Sequence, residues 1–379
     1  MTRTNLVIYP TEFKHESRIL KETQSVAEQG LMDRIIITAL WREGLKEYEE
    51  LDGKRLVWRV KLRCARLPKF FLTEILKYLE LMFKLLLHFR NSKVSVVSCH
   101  SLSVLPIGAL FKLFQRPRLV YTPHELETER TGLSGVRKKL SKLVERALMP
   151  FVDKIIVPSQ GCADWYSKNY GRSDVHVFLN TPFLKELESL RSSILRENLN
   201  IPNNAQVFLY HGLLGRGRAI RILLDTFAQL SGSKHLVIMG FGELEDIVKS
   251  YARRFSNIHF HPAVPPEDTV RYASGADVGI CLIEDVSLSY YHSSPNKLFE
   301  YIHSGIPVIV SDFPDMGRII EQHGCGWKIP VNEKSLLALL NTLTPQEIER
   351  KRAAAVKCRG NFCWSNYKEE VADIYDMSA

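Results

Sequence analysis

One carboxylate and a small set of cations are spaced as a phosphorylated, diol-bearing ligand would need them. Ser294-Pro295-Asn296-Lys297-Leu298-Phe299-Glu300-Tyr301-Ile302-His303 reads as a short helix that Pro295 opens and Gly305 closes. The apolar run Ile306–Val310 follows as a buried strand. The free N–H groups and positive dipole end of such a helix start favour an anion, phosphate above all. Glu300 lies five residues into the helix, where a carboxylate can accept two hydrogen bonds from a ribose diol. Earlier, His211-Gly212-Leu213-Leu214-Gly215-Arg216-Gly217-Arg218 leaves a strand and enters a helix. Glycines there let the backbone approach a phosphate, and a guanidinium fork binds two of its oxygens at once. The segment is not a P-loop, because the GxxxxGK[ST] order is missing. Gly240-Phe241-Gly242-Glu243 makes a similar turn, but as a dinucleotide fingerprint it lacks the third glycine, since position 245 is Glu. In the first half two strands end on histidine, His100 after Val96-Val97-Ser98-Cys99 and His124 after Tyr121-Thr122-Pro123, with Glu125 next. If His100 accepts a proton, its pKa can be tuned through neutral pH.

Alternating strand and helix patterns must position these groups. At 379 residues the chain can bury two cores. Apolar runs at Leu6–Tyr9, Arg34–Ala39, Leu56–Lys61, Val94–Cys99, Leu119–Thr122, Lys154–Val157 and Val175–Leu179 alternate with helical patterns, which predicts βα units and a parallel sheet. The polar stretch Arg191–Asn204 reads as a linker. A second series follows, with strands at Gln206–Tyr210, His235–Met239, Ile258–His261, Val278–Leu282 and Pro307–Val310. The fold class is therefore α/β, with domains over 1–190 and 205–360.

Composition narrows the setting. Seven cysteines without a close CxxC pair predict neither a disulfide framework nor a zinc site, which fits a reducing cytoplasm. No secretory leader is read, because Leu6–Tyr9 is only of strand length before Pro10. Between Lys54 and Lys93 stand eleven basic and two acidic residues, a local excess equal to the whole chain's net charge of +9. Such a patch calls for an acidic partner: an anionic membrane, an anionic acceptor or nucleic acid. Within it, Phe70–Phe89 reads as a helix whose apolar face is wider than packing on one sheet requires. Its four charges exclude a comfortable membrane span. Two readings stand: an interfacial helix on anionic lipid, or a helix wedged between the sheet and a neighbour.

Ser293-Ser294-Pro295-Asn296-Lys297-Leu298-Phe299-Glu300-Tyr301, with the glycine-arginine loop before it, resembles the nucleotide-sugar signature of GT-B glycosyltransferases, in particular the large retaining family 4. Members usually carry a Glu, seven residues and a second Glu; Glu300 matches the second, and His292 stands where the first would be. The resemblance implies two Rossmann-like domains facing across a cleft, an acceptor domain over 1–190 and a donor domain over 205–360, with 361–379 crossing back to the first. It implies that Glu300 binds ribose, and that Arg218, with Arg216 a close competitor, neutralises the departing diphosphate together with Gly215, Lys297 and Asn296. It places Gly240, Gly242 and Val264 at the base and nucleotide pocket, and His292, Ser294 and Pro295 at the donor sugar. His100 is implied to touch the donor sugar and reacting centre, and His124 and Glu125 to orient or assist the acceptor hydroxyl, in a segment where Thr122 replaces a common Asp.

The reaction so implied moves a hexose or N-acetylhexosamine from a UDP- or GDP-sugar to a glycan or lipid-linked sugar, with retention, as in polysaccharide or glycolipid assembly. No Asp-x-Asp motif occurs. Cations and helix starts are then expected to stabilise the diphosphate, with no metal and no cofactor. The expected location is cytoplasmic, peripheral on the inner face of the plasma membrane if residues 54–93 meet lipid. A sugar-nucleotide epimerase of the same architecture is the alternative. A nucleic-acid binder ranks last, for want of interleaved stacking aromatics, so no nucleic-acid partner is expected.

Overall fold

The computed structural model describes residues 2–14, 16–68, 70–183, 191–230 and 232–376. The chain divides into two compact units, Met1–Phe178 with Tyr367–Ala379, and Leu179–Asn366.

In the first unit the strands are β1 (Thr4–Ile8), β2 (Arg34–Leu40), β3 (Tyr48–Glu50), β4 (Arg55–Val60), β5 (Val96–Cys99), β6 (Arg118–Tyr121), β7 (Lys154–Val157) and β8 (Val175–Val177). They pair in the order β3-β4-β2-β1-β5-β6-β7-β8, all parallel except β3, which runs antiparallel to β4. Central strands are apolar on both faces because helices cover both: Leu6, Val7, Ile8, Val96 and Val97 are all buried. The helices that matter below are α1 (Ser17–Glu28), α2 (Phe71–Phe89), α3 (Leu105–Gln115) and α4 (Gly135–Leu148). From β1 the chain steps to β2 on one side and later to β5 on the other, so right-handed crossovers put α1 on one sheet face and α2, α3 and α4 on the opposite one. The carboxyl ends of β1 and β5 meet where the strand order reverses, the usual ligand crevice of an open α/β sheet.

The second unit repeats the plan with β9 (Gln206–Leu213), β10 (Lys234–Phe241), β11 (Ile258–Pro262), β12 (Val278–Cys281), β13 (Val308–Ser311) and β14 (Gly326–Ile329). The order is β11-β10-β9-β12-β13-β14, all parallel, with the reversal between β9 and β12. Gly279 in β12 permits the packing that positions the site. A Cβ there would lie 2.4 Å from the Tyr301 ring, so only glycine lets that ring rest on the strand.

Three readings of the sequence change. The stretch 191–204, read as a linker, holds the helix Ile194–Leu199, whose Leu195 is fully buried and whose Arg196 guanidinium lies 2.8 Å from Asp277. A short helix that buries one side chain leaves a polar composition behind, which is why it read as a tether. Strand β14 extends the second sheet, and the helices Glu333–Thr342 and Pro345–Cys358 extend the second unit, beyond the series read from the sequence. Of the terminal segment 361–379, residues up to Asn366 belong to the second unit, and the helix Lys368–Tyr375 packs against α1 in the first.

Candidate active site

Tyr301 anchors the helix Asn296–His303. Its hydroxyl donates to the Leu209 carbonyl at 2.8 Å and accepts from the His211 backbone N–H at 3.0 Å, which ties the helix to the end of β9. Lys297 is one turn earlier on the same face and is therefore drawn inward. Its side chain is buried, with the ammonium 3.6 Å from the centroid of the Tyr210 ring and no hydrogen-bond partner among the described residues. Burial lowers its pKa to about 7; Arg218 pushes the same way, while Cys281 and Glu300 oppose. Gly212, at φ +115°, leaves the room: a Cβ there would stand 3.9 Å from that ammonium.

The glycine-arginine loop turns its two arginines in different directions. Arg216 is 93% exposed and leans on Glu243 at 3.8 Å. Arg218 faces inward, its guanidinium 4.8 Å from the Tyr290 centroid and its Nε buried without a hydrogen-bond partner among the described residues. Gly217 makes the turn at φ +74° directly against Tyr290, where a Cβ would come within 2.9 Å of the ring. Glu300 is half-buried, with its carboxylate 3.5 Å from His211 Nε2. Burial, and then the Lys297 charge, hold His211 down to about 3, so its imidazole is neutral.

Structure thus gathers Lys297, Arg218 and Glu300 around the start of one helix at the carboxyl end of β9, within electrostatic reach of one another. Ser294 is buried just before them, its hydroxyl unpartnered among the described residues. Pro295 precedes the helix as its cap residue rather than occupying the first turn, and Gly305 ends it at φ +70°. His292 Nδ1 lies 3.5 Å from Asp315 Oδ2, at the start of the helix Pro314–His323. The remaining residues read from the sequence make contacts of other kinds. Asn296 is exposed and accepts from Asn180 at 2.8 Å. Gly215 packs on Leu213, and Val264 is half-buried against the core. Gly240 and Gly242 are required by the neighbouring backbone: Cβ atoms there would meet the Gly212 and Leu214 carbonyl oxygens at 1.9 Å and 2.5 Å.

In the first unit His100 follows β5, but it is buried rather than presented to an open surface. Its Nδ1 is 3.2 Å from His124 Nε2, and its Nε2 is 3.9 Å from Glu22. Burial drives the His100 pKa well below the ordinary value and that of His124 to about 3. A pKa tuned through neutral pH is not what the packing gives: burial first, and then the charge of Arg18, keep both imidazoles neutral. Glu125 pairs with Arg130 at 3.0 Å.

Several charged groups here escaped the sequence reading. Arg18 and Glu22 lie on the buried stripe of α1. Burial raises Glu22 to about 7, against the pull of the Tyr375 hydroxyl that donates to it and of Arg18. Glu127, buried beside Arg130 at 3.1 Å, is likewise raised to about 7 by burial. The signal for the first pair was available: two charges four residues apart, in phase with Ile19, Thr23 and Val26 rather than with the polar face.

Two parallel-sheet units of this kind define the GT-B glycosyltransferase fold. The sucrose-phosphate synthase of Thermosynechococcus elongatus superposes with a TM-score of 0.78 over 98% of both chains at 15% identity. Anabaena HepE, in complex with UDP-glucose, gives 0.74 over 98% of both at 17% identity. The apo lipopolysaccharide outer core galactosyltransferase WaaB gives 0.68 over 98% of both at 14% identity. No curated protein matches the sequence. Glycosyltransferase Family 4 matches residues 28–181, and Glycosyl transferases group 1 matches residues 205–344, so the two together take in most of the chain. The chain belongs to the family 4, group 1 glycosyltransferases.

Proposed function

We propose that this glycosyltransferase moves a hexose or N-acetylhexosamine from a UDP- or GDP-sugar to a hydroxyl of a glycan or lipid-linked sugar, with retention and without a metal. The observation that carries the reading is Lys297: a buried ammonium with no hydrogen-bond partner among the described residues, at the start of a helix that holds Glu300 one turn on. Leaving such donors unsatisfied is costly unless an anion completes them. On this reading the diphosphate lies on the helix start between Lys297 and Arg218, and Glu300 takes the ribose diol. The sugar then falls toward Ser294, Pro295 and His292. That Anabaena HepE is in complex with UDP-glucose supports a nucleotide-sugar donor.

Chemistry follows from the charges. As the bond from the anomeric carbon to phosphate oxygen breaks, negative charge grows on the diphosphate, where Lys297, Arg218 and the helix dipole are already oriented toward it. The acceptor oxygen bonds to the same face of that carbon, and its proton passes to the departing phosphate oxygen. Neutral His100 and His124 suit hydrogen bonding to sugar hydroxyls, with Glu125 on the acceptor side; none of them has to take the proton.

Calorimetry with UDP, GDP, ADP and their sugars in EDTA tests the donor reading, and NMR of the product anomer tests retention. Binding of no nucleotide, or binding only when magnesium is restored, would overturn it.

A further inference from the structure

The helix α2 carries two apolar stripes, not one. Tyr78, Leu81, Leu85 and Phe89 face the core of the first unit. Leu72, Leu76, Leu79, Phe83 and Leu87 lie on the opposite side and are 45–70% exposed. At 100° per residue the two stripes are about half a turn apart, which accounts for the unusual width of the apolar face. Packing against the sheet explains only the inner stripe.

The neighbouring helices continue the outer one. α3 lies between α2 and α4: Gln115 donates to the Phe89 carbonyl at 2.8 Å, and α3 packs on α4. Leu113 and Phe114 are exposed at the end of α3, and Val136, Leu140 and Leu143 form an exposed stripe along α4. Monomeric proteins rarely leave so many large apolar side chains bare on neighbouring helices.

Charge indicates what covers it. The basic segment 54–93 is not one surface patch. Arg59 is buried and bound to backbone carbonyls, Arg55 is held by Asp52 and the Leu20 carbonyl, and Lys77 and Lys84 pair with Glu74 and Glu80. The exposed cations sit beside the apolar stripes: Arg63 and Arg66 just before α2, and Arg137, Lys139 and Arg146 flanking the stripe of α4. The one acid of α4, Glu145, is buried and accepts from the hydroxyls of Tyr121, Tyr166 and Tyr170.

We propose that the face made by α2, the end of α3 and α4 docks on the surface of an anionic lipid bilayer. The apolar stripes enter the headgroup boundary and the flanking cations meet lipid phosphates. A second copy is the poorer occupant, because a two-fold interface would set these cations against one another. Among the described residues no helix is long and apolar enough to cross a membrane, so the contact lies along the surface. The proposal does not depend on the donor site.

The test is flotation of the full chain with vesicles of phosphatidylcholine alone and with added phosphatidylglycerol. Binding is expected only to the anionic vesicles, and to weaken with salt. A Leu76→Ser/Phe83→Ser variant is expected to bind roughly tenfold more weakly or worse. An Arg137→Gln/Lys139→Gln/Arg146→Gln variant should lose on the order of a hundredfold, at about 1 kcal/mol per cation. Both should keep the thermal melt and nucleotide affinity of the parent. As a second readout, Phe83→Trp should be quenched by brominated anionic lipid. Equal binding to neutral vesicles, or none to either, overturns the proposal. So does a dimer in light scattering that the apolar variant dissociates.

Discussion

The titration of Lys297 gives the sharpest test of the donor site. Its folded pKa is about 7, so near neutrality about half of the molecules carry the charge that a diphosphate needs. A bound diphosphate favours the ammonium and raises that pKa, so binding takes up a proton wherever the free site has lost one. Donor affinity should therefore fall as pH rises above 7, approaching tenfold per unit, or about twentyfold between pH 6.5 and 8.5. A nucleotide sugar has no phosphate proton to lose in this range, so the slope belongs to the protein. Calorimetry in buffers of different ionisation enthalpy should show uptake of about half a proton at pH 7 and about 0.9 at pH 8. Lys297→Met keeps the stem over Tyr210 but removes the charge. At pH 6.5 it should lose about 1.5–3 kcal/mol of binding, the worth of a hydrogen bond to a charged group. By pH 8.5 that gap should have narrowed by up to about twentyfold. A flat affinity across this range in the parent, or an unchanged slope in the Met variant, would refute the reasoning.

Arg218→Ala should weaken donor binding by about 1.5–3 kcal/mol, whereas Arg216→Ala should change it by less than about 0.5, because one guanidinium faces inward and the other solvent; calorimetry on the pair distinguishes them. Glu300→Ala should raise the donor Kd about tenfold or more, with the loss smaller for a 2′-deoxyribose donor that never made both bonds. Gly279→Ala forces the Tyr301 ring off β12 and should cost at least about 1–3 kcal/mol in urea unfolding. Glu22 keeps its proton in the folded state up to about pH 7 and loses it near 4.5 when unfolded. Between those values the native state binds more protons, so its contribution to stability falls as pH rises, by at most about 1.4 kcal/mol per unit. Urea midpoints at pH 5 and 7 should show that slope flattened in Glu22→Gln.

Local chemistry made much of the protein readable from its residues. Apolar runs such as Ile155-Ile156-Val157 and Ile306–Val310 mark buried parallel strands because a strand covered on both faces leaves no polar alternation to confuse. Pro295 and Gly305 mark the helix between them because each acts through its own backbone, and that puts Glu300 and Lys297 on one short helix. Weak, short or mostly polar elements were harder: β3 has three residues, and the helix Ile194–Leu199 buries a single leucine. What the residue string could not decide was environment. Whether Arg216 or Arg218 turns inward depends on Tyr290, far along the chain. His100 and His124 are neutral because their surroundings desolvate them, and desolvation is a property of packed neighbours, not of spacing. The same holds for the basic segment, whose Arg59 became a buried strut. It holds too for α2, whose width of apolar face was visible in sequence while its division into a packed stripe and a bare one was not. Periodicity says which residues share a face; only the assembled sheet and helices say what, if anything, that face meets.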